Sequence, residues 1–228
     1  MLKRISSFLP RSIQQELRRL KIHLDIRRGR FRPVDPPDAV YDQIASFVNP
    51  GDWVVDVGAN VGYYTWRLAH LVGKDGRVLA IEPIPETVEI LTSVLRTLPY
   101  DNVTILNLAA SDYTGAIRFS VPKNTSNRLP DYFLAHASQE GERSIYACAL
   151  DQIMPPNRIS LVKIDTEGHE YNVLQGMRRW IERDRPIIIL EGSEDCEAIR
   201  FLVTEMRYRS GGKVEKSANI IAWPNPGG

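Results

Sequence analysis

The chain has 228 residues, of which 43% are hydrophobic and 25% charged, and its formal net charge is +1. This length fits one large domain, and this composition excludes an intrinsically disordered chain. No apolar run approaches the roughly 20 residues that span a bilayer, and we recognise no signal-peptide pattern. Cys148 and Cys196 are the only cysteines and form no C-x-x-C motif, which favours reduced thiols and a cytoplasmic location.

The N-terminal segment carries most of the charge asymmetry. Residues 1–32 contain ten Lys or Arg and two acids, a net charge of +8, so the remaining chain carries −7. Four apolar residues recur there at helical spacing and form what we call the apolar stripe: Ile13, Leu17, Leu20 and Leu24. This spacing predicts an amphipathic helix over residues 12–28 that ends near Gly29.

The function of this basic arm depends on what covers the apolar stripe. We expect the stripe to pack on the main domain or across a homodimer, covering the acceptor side of the cleft, with the arginines in solvent. An anionic acceptor or a membrane surface is an alternative target, and nucleic acid is not expected. Pro33, Pro36 and Pro37 predict a linker, which separates an arm of residues 1–37 from a main domain of residues 38–228.

The main domain opens with a strand, a glycine turn and a helix. Trp53–Val57 is a short apolar run typical of a buried parallel strand, and Gly58 and Gly62 follow it. A helical pattern then continues as far as Gly73. This order is the first unit of a doubly wound nucleotide-binding sheet, and we expect the glycines to leave room for a ligand.

The next strand indicates which nucleotide is bound. It ends in Glu82, where an acid accepts hydrogen bonds from a ribose diol. Asn60 stands where a dinucleotide site needs a glycine, which favours S-adenosylmethionine over a pyrophosphate. Asp56 can lie near the sulfonium or ammonium group of that ligand. A dinucleotide and a turn without ligand are the alternatives.

A third strand over residues 103–110 should end facing the adenine, with Asn107, Ser111 or Asp112 available to its edge. We therefore expect the following residues to bind the cofactor: Asp56, Gly58, Ala59, Asn60, Gly62, Tyr63, Tyr64, Glu82, Asn107, Ala110 and Asp112. Residues 115–122 and 143–150 each predict a strand. The polar segment between them, 123–142, is long for an idle loop and is expected to be a lid over the acceptor site.

The second half of the chain repeats the alternation of strand and helix. Leu161–Ile164 is a buried strand that ends in Asp165, and further strands are predicted before Glu191 and around 219–223. Residues 207–223 predict a terminal hairpin. The whole pattern predicts an α/β fold: a mostly parallel, doubly wound sheet with helices on both faces and an antiparallel terminal hairpin.

Two motifs together resemble the FkbM-type methyltransferases. They are Val55–Gly62 with the following Ile81–Pro83, and Lys163–Glu170, which reads Lys-Ile-Asp-Thr-Glu-Gly-His-Glu. The resemblance covers about residues 50–206. It implies a Rossmann-like class I domain that uses S-adenosylmethionine to methylate a hydroxyl of a sugar, glycolipid or secondary metabolite. N- or C-methylation of a small molecule and a non-catalytic scaffold protein are the alternatives.

The candidates for catalysis follow the strand Leu161–Ile164 and are Asp165, Glu167 and His169. A sugar hydroxyl needs a positioned base, and His169 has the best unperturbed pKa for that role near neutral pH. Asp165 is expected to bind the cofactor's ammonium group or to brace the acceptor. Glu167 or Glu170 could instead cap the next helix. These acids with Glu191 could hold Mg²⁺, but no spacing demands it, so we expect no metal.

Overall fold

The computed structural model describes residues 11–33, 38–122 and 134–226. The strands of these ranges are β1 (Trp53–Val57), β2 (Arg77–Ile81), β3 (Val103–Leu106), β4 (Ala109–Ser111), β5 (Gly115–Ser120), β6 (His136–Ala137), β7 (Arg143–Ala149), β8 (Ile159–Ile164), β9 (Ile187–Glu191), β10 (Tyr208–Lys213) and β11 (Asn219–Pro224). The helices are α1 (Arg11–Arg27), α2 (Ala39–Gln43), α3 (Tyr63–Val72), α4 (Pro85–Leu95), α5 (Glu170–Gly176), α6 (Arg178–Asp184) and α7 (Glu197–Thr204), with 3₁₀ turns at Ile44–Ser46 and Leu150–Gln152.

The central sheet has seven strands in the order β10-β11-β9-β8-β1-β2-β3. β1 pairs in parallel with β2 and β8, and β3 and β9 extend the parallel part on either side. β11 runs antiparallel to both β9 and β10. The predicted parallel sheet with an antiparallel terminal hairpin is confirmed. Because strand order reverses at β1, a crevice opens at the carboxyl ends of β1, β2 and β8.

Side chains of the central strands alternate between two apolar layers. On β8, Val162 and Ile164 pack with the layer formed by α5, α6 and α7. Leu161 points to the opposite layer, formed by α2 and α3 with residues such as Leu68 and Val72. Burying a side chain of this size stabilises the fold by roughly 1.5–3 kcal/mol relative to leaving it exposed. The sheet is therefore covered on both faces, which explains why its strands are continuous apolar runs.

The predicted third strand is two strands in different sheets. β3 closes the central sheet, whereas β4 begins a second sheet of order β4-β7-β5-β6. Between β3 and β4 the chain turns away from β2. At this point the side-chain amide of Asn107 donates to the carbonyls of Glu82 and Pro83 at 2.8 and 3.1 Å. The prediction of one continuous strand over 103–110 was wrong because the apolar run does not reveal this break. Of the predicted lid, residues 123–133 lie outside the described residues, and β6 belongs to the remainder.

The predicted N-terminal helix is present, but its apolar stripe is not buried. Ile13, Leu17, Leu20 and Leu24 are 39–58% exposed. The opposite side of α1 docks instead: Ile22, assisted by Ile26, packs on Val61, Ile90 and Val94. The expectation that the stripe packs on the main domain was therefore wrong. None of the helices in the described ranges is long and apolar enough to cross a membrane.

Candidate active site

A cavity of about 500 Å³ opens at the carboxyl ends of β1, β2 and β8, within the size range of small-molecule sites. Most of the predicted site residues line it: Asp56, Gly58, Ala59, Asn60, Tyr63, Tyr64, Glu82, Ala110, Asp165, Glu167 and His169. Gly62, Asn107 and Asp112 are not in the described lining. From the arm, the described lining includes Pro33 but no residue of α1. α1 thus does not cover the cleft as expected.

Both glycines of the β1 turn have a left-handed backbone, and one of them also faces a close backbone contact. Gly58 has φ +81°, and a Cβ there would lie 1.8 Å from the carbonyl oxygen of Asp165. Gly62 has φ +96°, and its Cβ would lie 2.6 Å from Leu91 Cδ1 on α4. The close approach of β8 requires glycine at 58, a residue that also lines the cavity. At 62 the left-handed backbone is the main requirement, because Leu91 Cδ1 ends a flexible side chain.

Glu82 joins the ends of β1 and β2. Its carboxylate accepts the backbone N–H of Asn60 at 2.8 Å and that of Ile84 at 2.9 Å. Burial raises the pKa of Glu82 to about 7, although these two hydrogen bonds favour the ionised form. A buried carboxylate that titrates near neutrality at the wall of a cavity is suited to accept further hydrogen bonds, such as those of a ribose diol.

A buried lysine and two aspartates form the floor of the cavity. The Nζ of Lys163 lies 3.0 Å from Asp165 Oδ2 and 5.0 Å from the ring centroid of Tyr64. Burial alone would lower the pKa of Lys163, but the charge and hydrogen bond of Asp165, together with the charges of Asp56 and Asp38, raise that pKa. Asp56 accepts a 2.5 Å hydrogen bond from Thr65 Oγ1, and burial raises its pKa to about 6. Lys163 is therefore a cation that compensates acids around it.

Three carboxylates converge above that lysine: those of Asp165, Glu167 and Glu191 have oxygens within 4.8 Å of one another. Burial and the neighbouring Asp165 raise the pKa of Glu191. Burial alone would raise the pKa of Asp165, but the charge of Lys163 and the hydrogen bonds with Glu191 and Lys163 together lower it. At neutral pH the proton of this pair therefore resides on Glu191, while Asp165 stays ionised. An acidic cluster of this kind could hold a divalent cation, but one of its members is already neutralised by Lys163.

The turn after β8 directs Glu167 and His169 into the cavity. Glu167 and Gly168 have φ of +54° and +95°. One oxygen of Glu170 holds this turn by accepting the N–H of Thr166 at 3.0 Å and that of Gly168 at 3.1 Å. Glu170 thus holds the turn that precedes α5, whereas the alternative interpretation had Glu167 or Glu170 cap the helix itself. Partial burial, together with the charges of Asp165 and Glu170, raises the pKa of Glu167.

His169 is oriented by a chain of hydrogen bonds from β4. Its Nε2 lies 3.0 Å from Ser111 Oγ, and Ser111 donates to Asp112 Oδ1 at 3.0 Å. Because the only hydroxyl proton of Ser111 is used on Asp112, Nε2 carries the imidazole proton and Nδ1 is left as the acceptor. Burial lowers the pKa of His169, although Asp112 and Glu170 oppose this. Ser111 and Asp112 therefore hold a histidine at the place where we expected them to meet an adenine.

Two residues of the cavity wall, Asp38 and Asn219, could not be identified from the sequence. Asp38 accepts hydrogen bonds from the Tyr64 hydroxyl, from Ser217 Oγ at 2.6 Å and from Asn219 Nδ2 at 3.1 Å. It also caps α2 through the N–H of Val40 at 3.1 Å. An acid directly before a helix was a visible signal for the cap. Nothing in the sequence indicated its contact with the terminal hairpin.

Two curated relatives are informative about the cofactor-binding core. Over 56 residues the chain is 45% identical to protein-L-isoaspartate O-methyltransferase 2 of Archaeoglobus fulgidus, which covers 25% of this chain and 26% of that protein. Over 160 residues it is 27% identical to the hexuronic acid methyltransferase AglP of Haloferax volcanii, which covers 68% of this chain and 63% of that protein. The chain thus spans between about a quarter and two thirds of the length of these relatives.

Solved structures share the fold. A methyltransferase FkbM from Methylobacillus flagellatus KT superimposes with a TM-score of 0.56 and 22% identity, over 78% of this chain and 44% of that one. Fibrillarin of Aeropyrum pernix, solved with natively bound S-adenosyl-L-methionine, gives a TM-score of 0.50 and 12% identity, over 78% and 67% of the two chains. At these identities the likeness establishes the fold alone.

The family model of the methyltransferase FkbM domain matches residues 56–210, which is more than half of the chain. The matched range begins at Asp56 and includes Glu82, Asp165 and His169, so the cavity described above lies largely within it. The buried carboxylates of Asp56 and Glu82 at the wall of that cavity fit a ligand with a cationic tail and a ribose. This chain belongs to the FkbM methyltransferase family, and its cofactor is S-adenosyl-L-methionine.

Proposed function

We propose that this protein transfers the methyl group of S-adenosylmethionine to a hydroxyl of a sugar, a glycolipid or a secondary metabolite. The observation that carries the proposal is the meeting of Lys163, Asp165 and His169 with the predicted cofactor residues in one cavity. When bound, the cofactor supplies an electrophilic methyl carbon. The protein must then align an oxygen with that carbon and accept the proton of the hydroxyl.

The cofactor is assigned to the β1 and β2 side of the cavity. Glu82 would accept the ribose hydroxyls, because its carboxylate lies in the wall and keeps lone pairs beyond those used by Asn60 and Ile84. Asp56 would face the cationic part of the cofactor. The backbone of Gly58–Asn60 would lie beneath it. These roles rest on position in the cavity and on charge.

The β8 side is assigned to the acceptor. His169 would take the hydroxyl proton on Nδ1, directly or through one water, because burial keeps its ring neutral and Ser111 fixes its tautomer. Asp165 would accept a hydrogen bond from the same hydroxyl and orient it, since Lys163 keeps Asp165 ionised. Glu167, on the exposed rim, would contact the remainder of the acceptor.

The charge of the lining favours a neutral hydroxyl as acceptor. The described lining residues include six acids and one lysine: Asp38, Asp56, Glu82, Asp165, Glu167 and Glu191, with Lys163. Of these acids, Glu191 carries a proton at neutral pH. A carboxylate acceptor would enter this acidic cavity without a free cation to pair with, at a substantial electrostatic cost. The name of AglP points to a sugar acid as the substrate of that protein. For this chain we infer a sugar acceptor as well, but one methylated on a neutral hydroxyl, which avoids placing a carboxylate among the acids of the lining.

An amine acceptor is the second candidate, because the same acidic lining would attract a cation. The two candidates are separated by a transfer screen with labelled S-adenosylmethionine. Neutral glycosides, the matching uronic acids and the matching amino sugars are incubated with the full chain and analysed by mass spectrometry. We expect a mass gain of one methyl group on a neutral glycoside.

Methylation found only on the nitrogen of the amino sugars, or only on the carboxylate of the uronic acids, would overturn the hydroxyl assignment. The variant Asp165→Asn serves as the catalytic control, because it keeps the size of the side chain and removes its charge. We expect this variant to lose at least about 100-fold in turnover, the usual scale of a positioned proton-transfer site, while still binding the cofactor. Turnover equal to the wild type would remove Asp165 from the site.

A further inference from the structure

The outer face of α1 is both apolar and without cover in the described chain. The apolar stripe of Ile13, Leu17, Leu20 and Leu24 reaches 58% exposure at Leu20, although leucine is usually buried. The helix does not need this face for folding, because its other side docks on α4 through Ile22 and is tied there by Arg19, whose guanidinium lies 3.0 Å from Glu89. A stripe of this length facing solvent therefore requires a different explanation.

Cations border the stripe along both edges. At 100° per residue, Lys21 lies beside Leu17 and Leu24 on one edge, and Arg27 lies beside Leu20 on the other. Both are exposed. The two acids of α1 are already compensated, since Glu16 lies 2.8 Å from Arg19 and Asp25 lies 3.6 Å from Arg30. The outer face is therefore an apolar stripe between positive edges, and the segment 1–32 around it has a net charge of +8.

This combination selects among the surfaces that could cover it. A second copy of α1 would bring Lys21 and Arg27 against the same cations, which repel one another. Four side chains also supply far less area than the roughly 800 Å² per partner that a standard interface needs. A bilayer with anionic phospholipids satisfies both features, because apolar side chains enter the boundary of the acyl chains while lysine and arginine meet the phosphates.

We propose that α1 docks this protein on the surface of a bilayer that contains anionic phospholipids. The helix would lie in the plane of the interface, with its stripe inserted and with Ile22 and Ile26 still packed on the domain. The cavity would stay open in that arrangement, because none of the described α1 residues lines it. The inner side of α1 packs close to the cavity wall, because Phe31, buried beside Ile22, has its ring 4.6 Å from that of Tyr63. This inference does not depend on which acceptor is methylated.

Flotation of the full chain with lipid vesicles tests the proposal. We expect the protein to float with vesicles of phosphatidylglycerol and phosphatidylcholine, and to stay in solution with vesicles of phosphatidylcholine alone. Binding should weaken as salt rises from about 0.05 to 0.5 M, because the charge component is screened. The double variant Leu17→Glu/Leu20→Glu should bind at least tenfold more weakly. The control Val203→Glu alters a residue that is 43% exposed on α7 and should bind like the wild type.

Wild-type protein that does not float with anionic vesicles, or that floats equally with neutral ones, would exclude docking of α1 on an anionic bilayer. A wild-type dimer by light scattering that becomes monomeric in Leu17→Glu/Leu20→Glu would assign the stripe to a second copy instead. Thermal melts of the variants confirm that a loss of binding is not a loss of folding.

Discussion

The ammonium of Lys163 is 3.0 Å from the carboxylate of Asp165, and the lysine side chain is 1% exposed. Removing one partner of a buried pair costs more than the pair contributes, because the other charge remains without compensation. At Asp165 the cost is moderated, since that side chain is 39% exposed. Lys163 therefore acts as the fixed counter-charge for the acids of the cavity floor, Asp56 included.

Lys163→Met should reduce the free energy of unfolding by about 3 kcal/mol at pH 8. Without the ammonium, the pKa of Asp56, already raised in the wild type, rises further, and that of Asp165 rises above its unfolded value. The cost is therefore complete above these folded-state pKa values and is relieved as the acids protonate. Asp56 already titrates at about 6. The loss should therefore shrink between pH 8 and pH 5. Denaturant titrations at both pH values measure it.

The exposed Lys74→Met is the control for this variant, with an expected change within about 0.5 kcal/mol at either pH. A Lys163→Met protein that loses the same stability at pH 5 and pH 8 would show that packing, and not charge, is the role of the side chain.

Gly58→Ala tests the close approach of β1 and β8. Gly58 and Gly51 both have positive φ, +81° and +90°, so alanine strains the backbone at both. Only at Gly58 does the added Cβ meet an atom, Asp165 O at 1.8 Å, whereas Gly51 has open space. We expect Gly58→Ala to lose at least about 2 kcal/mol more than Gly51→Ala in thermal or denaturant unfolding. Equal losses would leave backbone strain as the only requirement for glycine.

The predictable parts of the fold are those whose signal is local. β1, β2 and β8 could be predicted because each is buried on both faces and reads as an apolar run. The docked side of α1 could not, since both of its faces carry leucine or isoleucine and only the surface of α4 selects Ile22.

The predictable parts of the site follow the same division. Glu82 and Asp165 could be placed because each directly ends a parallel strand. Asp38 could not, because its partner Asn219 is 181 residues away along the chain. Ser111 was noticed as a polar residue after the third strand. Its contact with His169 depends on how the second sheet packs, which no spacing shows.

Cofactor affinity should increase with pH through the titration of Glu82. Burial holds the folded-state pKa of this acid at about 7, above its ordinary 4.5, so its ionisation destabilises the free protein and a bound ribose diol offsets that cost. The ionised fraction rises from about one tenth at pH 6 to three quarters at pH 7.5, which predicts a roughly eightfold decrease in Kd for S-adenosylmethionine. Titration calorimetry at the two pH values measures this change.

Glu82→Gln should remove most of that dependence and weaken binding at pH 7.5 by about 1.5–3 kcal/mol, the scale of a hydrogen bond to a charged group. The exposed Glu182→Gln on α6 should keep the wild-type profile. A pH dependence that survives in Glu82→Gln would assign the titration to Asp56 instead.

Ser111→Ala should impair turnover through His169 alone. The hydroxyl fixes the tautomer of the imidazole through its 3.0 Å contact with Nε2, so its loss lets the ring rotate and exchange tautomers. We expect turnover to fall about tenfold, a part of what general base catalysis contributes, with an altered acid limb of the pH profile and an unchanged Kd for S-adenosylmethionine. Because the serine acts only by positioning the histidine, it should have no further effect once the histidine is absent. The double variant Ser111→Ala/His169→Ala should therefore be as active as His169→Ala, a complete failure of additivity. If Ser111→Ala lowers turnover by the same factor in both backgrounds, the serine acts independently of His169, and the hydrogen-bonded chain does not serve the proton transfer.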